Sequence, residues 1–248
     1  MSKLKTVCAV VLSVLLAACG SGGGGGGSSS SAPPPGPTVS TLSFPVESTI
    51  VTLATTSSSY TVYATDAKGN GDLLTVSYAP GPSIYNSKIY SSALPTFMQT
   101  ELLKVNGVTS STSSVQVFYS TGPFLVWGSV NGTSGQNTMQ VKQQTYLPAT
   151  AKIGATGSIY SGNNYISNST LFPDAQSVTW SLEADTADTA WLCINIINVP
   201  SLFAELTTIE SDCFRINQSG TILGFKVDMT IPTNCGAYTC DKTTLRYR

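Results

Sequence analysis

The sequence predicts an all-β fold, an antiparallel sandwich or a twisted meander or half-barrel, in one domain or two subdomains. Three observations carry this. From about Val39 onward apolar and polar residues alternate with period two, as they do in antiparallel strands with one face on a core and one on water. Gly- and Asn-rich turn signals separate the alternating runs. No helical periodicity is interleaved with them, which argues against a parallel α/β arrangement.

The elements follow in chain order. Tyr60, Val62 and Ala64 alternate with Thr61, Tyr63 and Thr65; Leu74, Val76 and Tyr78 alternate with Thr75 and Ser77. Ala93–Leu103 has two readings. Pro95 near a first turn with Phe97, Met98 and Leu102 fits a helix, but the Asn106-Gly107 hairpin signal competes for its end. Val115, Val117 and Tyr119 alternate with Gln116 and Phe118, and Met139 and Val141 continue with Gln140 and Lys142 opposite. Val178, Trp180 and Leu182 alternate with Thr179, Ser181 and Glu183; Leu223, Phe225, Val227 and Met229 alternate with Gly224, Lys226 and Asp228. Lys68-Gly69-Asn70-Gly71, Asn131-Gly132 and Ser219-Gly220 mark further turns. The pattern implies about ten to twelve strands. A subdivision is placed near Leu147-Pro148-Ala149, within residues 147–150.

Composition narrows the chemistry. Charged residues make up only 10% of the 248, and histidine is absent. Without His there is no Ser-His-Asp or Cys-His machinery and no His metal ligand. A chain with 12 Lys+Arg against 13 Asp+Glu has no electrostatic footprint for nucleic acid. No cofactor-binding motif stands outside the polyglycine run, and no cofactor is expected.

The N-terminus is the most specific region. Lys3 and Lys5 precede an apolar run, Val7 to Leu16, too short for the ~20 residues of a membrane-spanning helix and right for a signal-peptide core. The run ends in Leu16-Ala17-Ala18-Cys19. These four residues resemble the lipobox of the bacterial lipoprotein family. The resemblance implies that residues 1–18 are removed, that Cys19 carries diacylglyceryl, and that the chain is anchored in a membrane by lipid. Gly20, where Asp would favour inner-membrane retention in that family, implies the outer membrane. Two or three acyl chains at ~0.8 kcal/mol per buried CH₂ make such an anchor stable. Residues 19–38 then form the lipidated Cys and a Gly/Ser/Pro tether with a reach of roughly 25 Å, and 39–248 form the exported β domain. Loss of Lys3 and Lys5 leaves ten Lys+Arg against thirteen Asp+Glu, a net charge of −3. A membrane-spanning barrel also alternates, but the lipobox and tether make it redundant. The core is weakly similar to β-rich bacterial lipoproteins along Trp180–Asp188 and Cys213–Arg215; no site is carried over from that likeness.

Cys8 lies in the signal segment, leaving Cys193, Cys213, Cys235 and Cys240. Export makes disulfides the default, and four cysteines allow three pairings. Cys193–Cys213 and Cys235–Cys240 are favoured, because the first two sit in runs that can be hairpin neighbours and the second pair closes a short loop. A Cys₄ zinc site would want C-x₂-C pairs, which are missing.

Two carboxylate sets are candidates for chemistry. Asp66, Asn70 and Asp72 place oxygens at the first, fifth and seventh positions of a Ca²⁺-like loop with Gly71 at the sixth. Lys68 at the third and Ser77 at the twelfth depart from that pattern, so a polar hairpin turn is preferred. Glu183 and Asp185, with Asp188 nearby, are the only sketch of a catalytic pair for a carboxylate-dependent glycoside hydrolase on envelope or extracellular polysaccharide. An acidic turn between the Trp180 and Trp191 strands is preferred. Glu205, Glu210 and Asp212 form a looser set. Tyr85, Tyr90, Trp127, Tyr160 and Tyr165 sit in polar surroundings where rings can stack on sugars or a partner. The expectation is therefore a non-enzymatic binding or structural module that contacts envelope polymer, lipid or protein.

Overall fold

A computed structural model describes residues 40–64, 72–86, 88–131, 138–165, 174–201, 204–233, 235 and 240–248. Cys19, Asp66 and Asn70 lie outside the described residues. The chain runs β1 (Ser43–Pro45), α1 (Glu47–Thr55), β2 (Ser58–Tyr63), β3 (Leu73–Ile84), β4 (Leu94–Val105), β5 (Val108–Thr121), β6 (Phe124–Asn131) and β7 (Thr138–Gln144). It continues through β8 (Thr150–Lys152), β9 (Thr156–Tyr165), β10 (Asp174–Ala184), β11 (Thr189–Val199), a 3₁₀ turn at Ala204–Leu206, β12 (Thr208–Asn217), β13 (Ile222–Thr233) and β14 (Asp241–Tyr247).

Twelve of these strands form one antiparallel meander from β2 to β14, and β1 and β8 pair separately. The fold is thus all-β, as the alternation implies. The sheet curls until its two edge strands meet. Ala64 bridges Tyr247, and the Tyr63 and Arg248 backbones exchange two hydrogen bonds of 3.0 and 2.9 Å. This seam is shorter than the other ladders of the main sheet, which run from the three registered pairs of β6 with β7 to the ten of β10 with β11. The main sheet crosses residues 147–150 without a break, because β7 pairs β9 directly.

Alternation decides which face is buried. Val178, Trp180 and Leu182 on β10 and Leu192 on β11 point inward. On β2 and β3 the outward positions Ser59, Thr61, Thr75 and Ser77 hydrogen-bond in cross-strand pairs. A row of rings fills the interior from one layer to the other. Phe225 and Phe214 lie 5.0 Å apart, Tyr60 lies 5.2 Å from Phe225, and the row continues through Tyr78, Phe97, Tyr119 and Phe124. Tilted and edge-on contacts of this kind suit the ring quadrupoles, each pair giving ~0.5–1.5 kcal/mol beyond area burial.

Asn106 and Gly107 adopt positive φ of 50° and 78° at the β4–β5 hairpin, the turn their sequence implies. That hairpin draws Ala93–Leu103 into β4 and excludes the helical alternative, since Phe97, Gln99, Glu101 and Leu103 must face one way to pair with β3 and β5. The helix lies elsewhere, in α1, a segment the alternation assigns to strand. Its β-branched content is poor for a helix. Three threonine hydroxyls bond back to carbonyls one turn earlier, Thr49 to Pro45, Thr52 to Ser48 and Thr55 to Val51. Burial of Ile50, Leu53 and Ala54 offsets the low propensity. The Glu47 carboxylate accepts from the Phe124 N–H at 3.1 Å, and Val46 N–H donates to Ala149. Helix α1 and the β1–β8 pair therefore sit at the barrel end where β6 starts and β10 finishes.

Candidate functional site

Glu183 and Asp185 lie on the outer face, each engaged by a cation. Lys226 Nζ is 3.5 Å from Glu183 Oε2 and 4.6 Å above the Trp191 ring. Arg215 Nε lies 2.6 Å from Asp185 Oδ2, and Trp191 Nε1 donates to Asp185 Oδ1 at 3.2 Å, with the Thr189 hydroxyl also donating. Burial alone would raise the Asp185 carboxyl, but the donations from Thr189, Arg215 and Trp191 outweigh it and hold it below its ordinary value. A general acid needs a raised carboxyl and a substrate cleft between two such groups. Here the pair braces the β10–β11 turn, where Thr186 and Thr189 also bond to each other. Asp188 donates its backbone N–H to Thr186 in the same turn.

Both disulfides form. Cys193 and Cys213 are direct register partners on β11 and β12, and Cys235 joins Cys240. Among the described residues, one group of three potential metal-ligating residues converges within 4.8 Å: Glu183, Cys193 and Cys213. Its two sulfurs are bonded to each other, so it offers no thiolates. Asp72 falls just before β3, while its proposed partners lie outside the described residues.

The aromatics divide. Tyr85 is exposed. Tyr90 stacks on Trp127 at 4.5 Å, and Trp127 Nε1 donates to Ser120. Asn163 Nδ2 donates to the Tyr165 hydroxyl. Tyr160 donates to Gln176, which in turn donates to Asn198, and burial pushes the Tyr160 phenol up.

A shallow groove of about 250 Å³ lies where β7, β9, β10 and β11 adjoin. Its floor includes Ile197 and Val199, which alternate with the core-facing Ile196 and so point outward. Lys142, Ser161, Asn163 and Ser177 give it hydrogen-bonding walls.

The most unusual chemistry is inside. Thr208, Glu210, Asp212, Phe214 and Ile216 occupy the inward phase of β12, all buried. Glu101 reaches toward Glu210 from β4. Ser113 Oγ and Gln99 Nε2 donate to Glu101 at 3.2 and 3.0 Å, and Tyr78 Oη donates to Asp212 Oδ2 at 3.4 Å. Burial pushes Glu210 well above the carboxylate range, and the facing charges of Glu101 and Asp212 add to it. Burial, then the Glu101 charge, pushes Asp212 up to about 7. Burial also raises Glu101, tempered by its bonds to Ser113 and Gln99. As carboxylates, Glu210 Oε1 and Asp212 Oδ1 find no donor, and the buried Thr208 hydroxyl has no partner either. A proton on Glu210 turns an acceptor into a donor toward a neighbouring carboxyl, which satisfies one of these orphaned atoms. The three carboxyls do not converge tightly enough for one ion to replace that proton.

Sequence reasoning ranked Glu210 and Asp212 low and passed over Glu101. The signal was present: two acids stand in the same phase as Phe214 and Ile216, where a one-sided strand should be apolar.

Comparisons with family models, curated proteins and solved structures give no match.

Proposed function

We propose that this chain is a lipid-anchored cell-envelope protein, held in the outer membrane through Cys19, whose β domain is a non-enzymatic binding or structural module. The lipobox Leu16-Ala17-Ala18-Cys19 and the following Gly/Ser/Pro tether support the anchor. Two disulfides suit an oxidising compartment outside the cytoplasm. The observation that carries the binding reading is the filled interior. A continuous row of rings from Phe225 to Phe124 occupies the space where an open half-barrel would hold a ligand. Contact with polymer, lipid or protein then belongs to the outer face, where the groove beside Ser161, Asn163 and Ser177 offers a concavity.

The test has two parts. Mass spectrometry of the detergent-extracted protein should find a diacylglyceryl mass on Cys19, absent from Cys19→Ser. Photo-crosslinking residues placed at Ser177 and Asn163 in intact cells should capture one recurrent envelope component, while the same residue at Thr61 does not. An unmodified Cys19 removes the anchor. Equal capture from all three positions removes the groove.

A further inference from the structure

The barrel closes through a seam of one bridge and two backbone hydrogen bonds, between β2 and β14. Glu101 stands on β4, two strands inward of β2, and Glu210 and Asp212 stand on β12, two strands inward of β14. Their contact is therefore a second link between the same two layers, made through the interior. The rings make a third, through Tyr60 with Phe225 and Phe214 and through Tyr78 with Phe214.

We propose that Glu101, Glu210 and Asp212 form a proton-held clasp between the two layers, which releases as the carboxyls ionise, so that the β2–β14 seam loosens as pH rises. Glu210 and Asp212 are 7% and 2% exposed, and each has an oxygen with no donor. The neighbouring strands bring no compensating charge. Inward from β11 come Ile194 and Ile196, and from β13 Val227 and Met229. From the opposite layer the titratable groups facing the cluster are Tyr78 on β3 and Glu101 on β4, with Tyr60 of β2 among the rings. The nearby cations point elsewhere: Lys226 to Glu183, Arg215 to Asp185 and Arg248 to Asp228. Ionising the cluster leaves like charges facing each other at low dielectric, and beyond the donors Ser113, Gln99 and Tyr78 the remaining solvation must come from water. The proton leaves to bulk solvent, and no bond other than O–H is broken. Water reaches the carboxyls most cheaply by parting the layers where the ladder is shortest.

Asp212, which burial and the Glu101 charge push up to about 7, places this range near neutral pH, and burial raises Glu210 in the same direction. The inference stands apart from the envelope reading and does not depend on Cys19.

Amide hydrogen exchange on the full chain tests it, with rates corrected for the intrinsic effect of pH. The amides of Tyr63 and Arg248, which donate across the seam, should lose roughly tenfold more protection between pH 5 and pH 8 than those of Val178–Leu182 in β10. In Glu101→Gln/Glu210→Gln that difference should shrink to less than about twofold. A uniform loss across both regions, or the same seam loss in the double variant, overturns the clasp. If the variant does not fold, carboxyl carbon shifts of the wild type decide. At least one of the three side chains should titrate above about pH 6, and midpoints all below about 5 overturn the proposal.

Discussion

Glu101 of β4 and Glu210 of β12 meet inside the barrel from opposite layers, beside Asp212 and below a row of rings. Two acids in contact at low dielectric are stable only while a proton is shared between them. That relationship gives the protein an unusual dependence on pH.

Stability should fall as pH rises from about 4.5 to 8. Asp212 and Glu210 have folded values above their ordinary ones. The native state therefore holds more protons than the unfolded chain over this range, and stability present at low pH is lost as pH passes the folded value, about 7 for Asp212. Asp185 works the other way, but below its ordinary value of 3.8, outside this window. Urea midpoints at pH 4.5, 6 and 8 check the slope; a midpoint that climbs with pH counts against it.

Glu210→Gln should stabilise the protein at pH 8 and leave it nearly unchanged at pH 4.5. The amide keeps a donor in place without a charge to desolvate. The gain is on the order of 1–3 kcal/mol, the usual cost of an unsatisfied buried polar group. Paired denaturation curves of the variant and wild type at the two pH values measure it.

Removing the Cys193–Cys213 bridge should cost more than removing Cys235–Cys240. The first spans 20 residues of sequence and the second 5. Loop-closure arithmetic gives about 3 and about 2 kcal/mol, a model-dependent difference. Thermal unfolding of the two double-alanine variants, each against wild type, should rank them in that order.

Phe214→Ala should be among the most damaging single changes, at roughly 3–5 kcal/mol. Phe214 is fully buried and touches Tyr60, Tyr78 and Phe225, so its loss opens a cavity between the two layers. Leu223→Ala on the neighbouring strand, half exposed, should cost under about 1 kcal/mol. Similar losses at both positions would refute this account of the core.

Gly157→Ala should destabilise by about 1–3 kcal/mol. A Cβ there would lie 2.6 Å from Trp180 Nε1, and that ring is buried on β10. Loss of the native tryptophan fluorescence signal at a lower urea concentration is the readout.

Local chemistry alone determined much of this protein. The two-residue alternation of Val178, Trp180 and Leu182 marks a half-buried strand in any context, because successive side chains leave a strand on opposite faces. Asn106-Gly107 specifies its hairpin because both residues tolerate positive φ. The lipidation signal proposed at Leu16-Ala17-Ala18-Cys19 is local in the same sense. Tertiary structure decided the rest. Helix α1 forms against its own propensity because Ile50, Leu53 and Ala54 find a core to enter. Ala93–Leu103 became a strand because β3 and β5 were there to pair with it. Glu101 faces Glu210 only because the sheet curls until β4 and β12 oppose each other. A strand's sequence determines which side chains share a face, but the curvature of the whole sheet determines what that face meets.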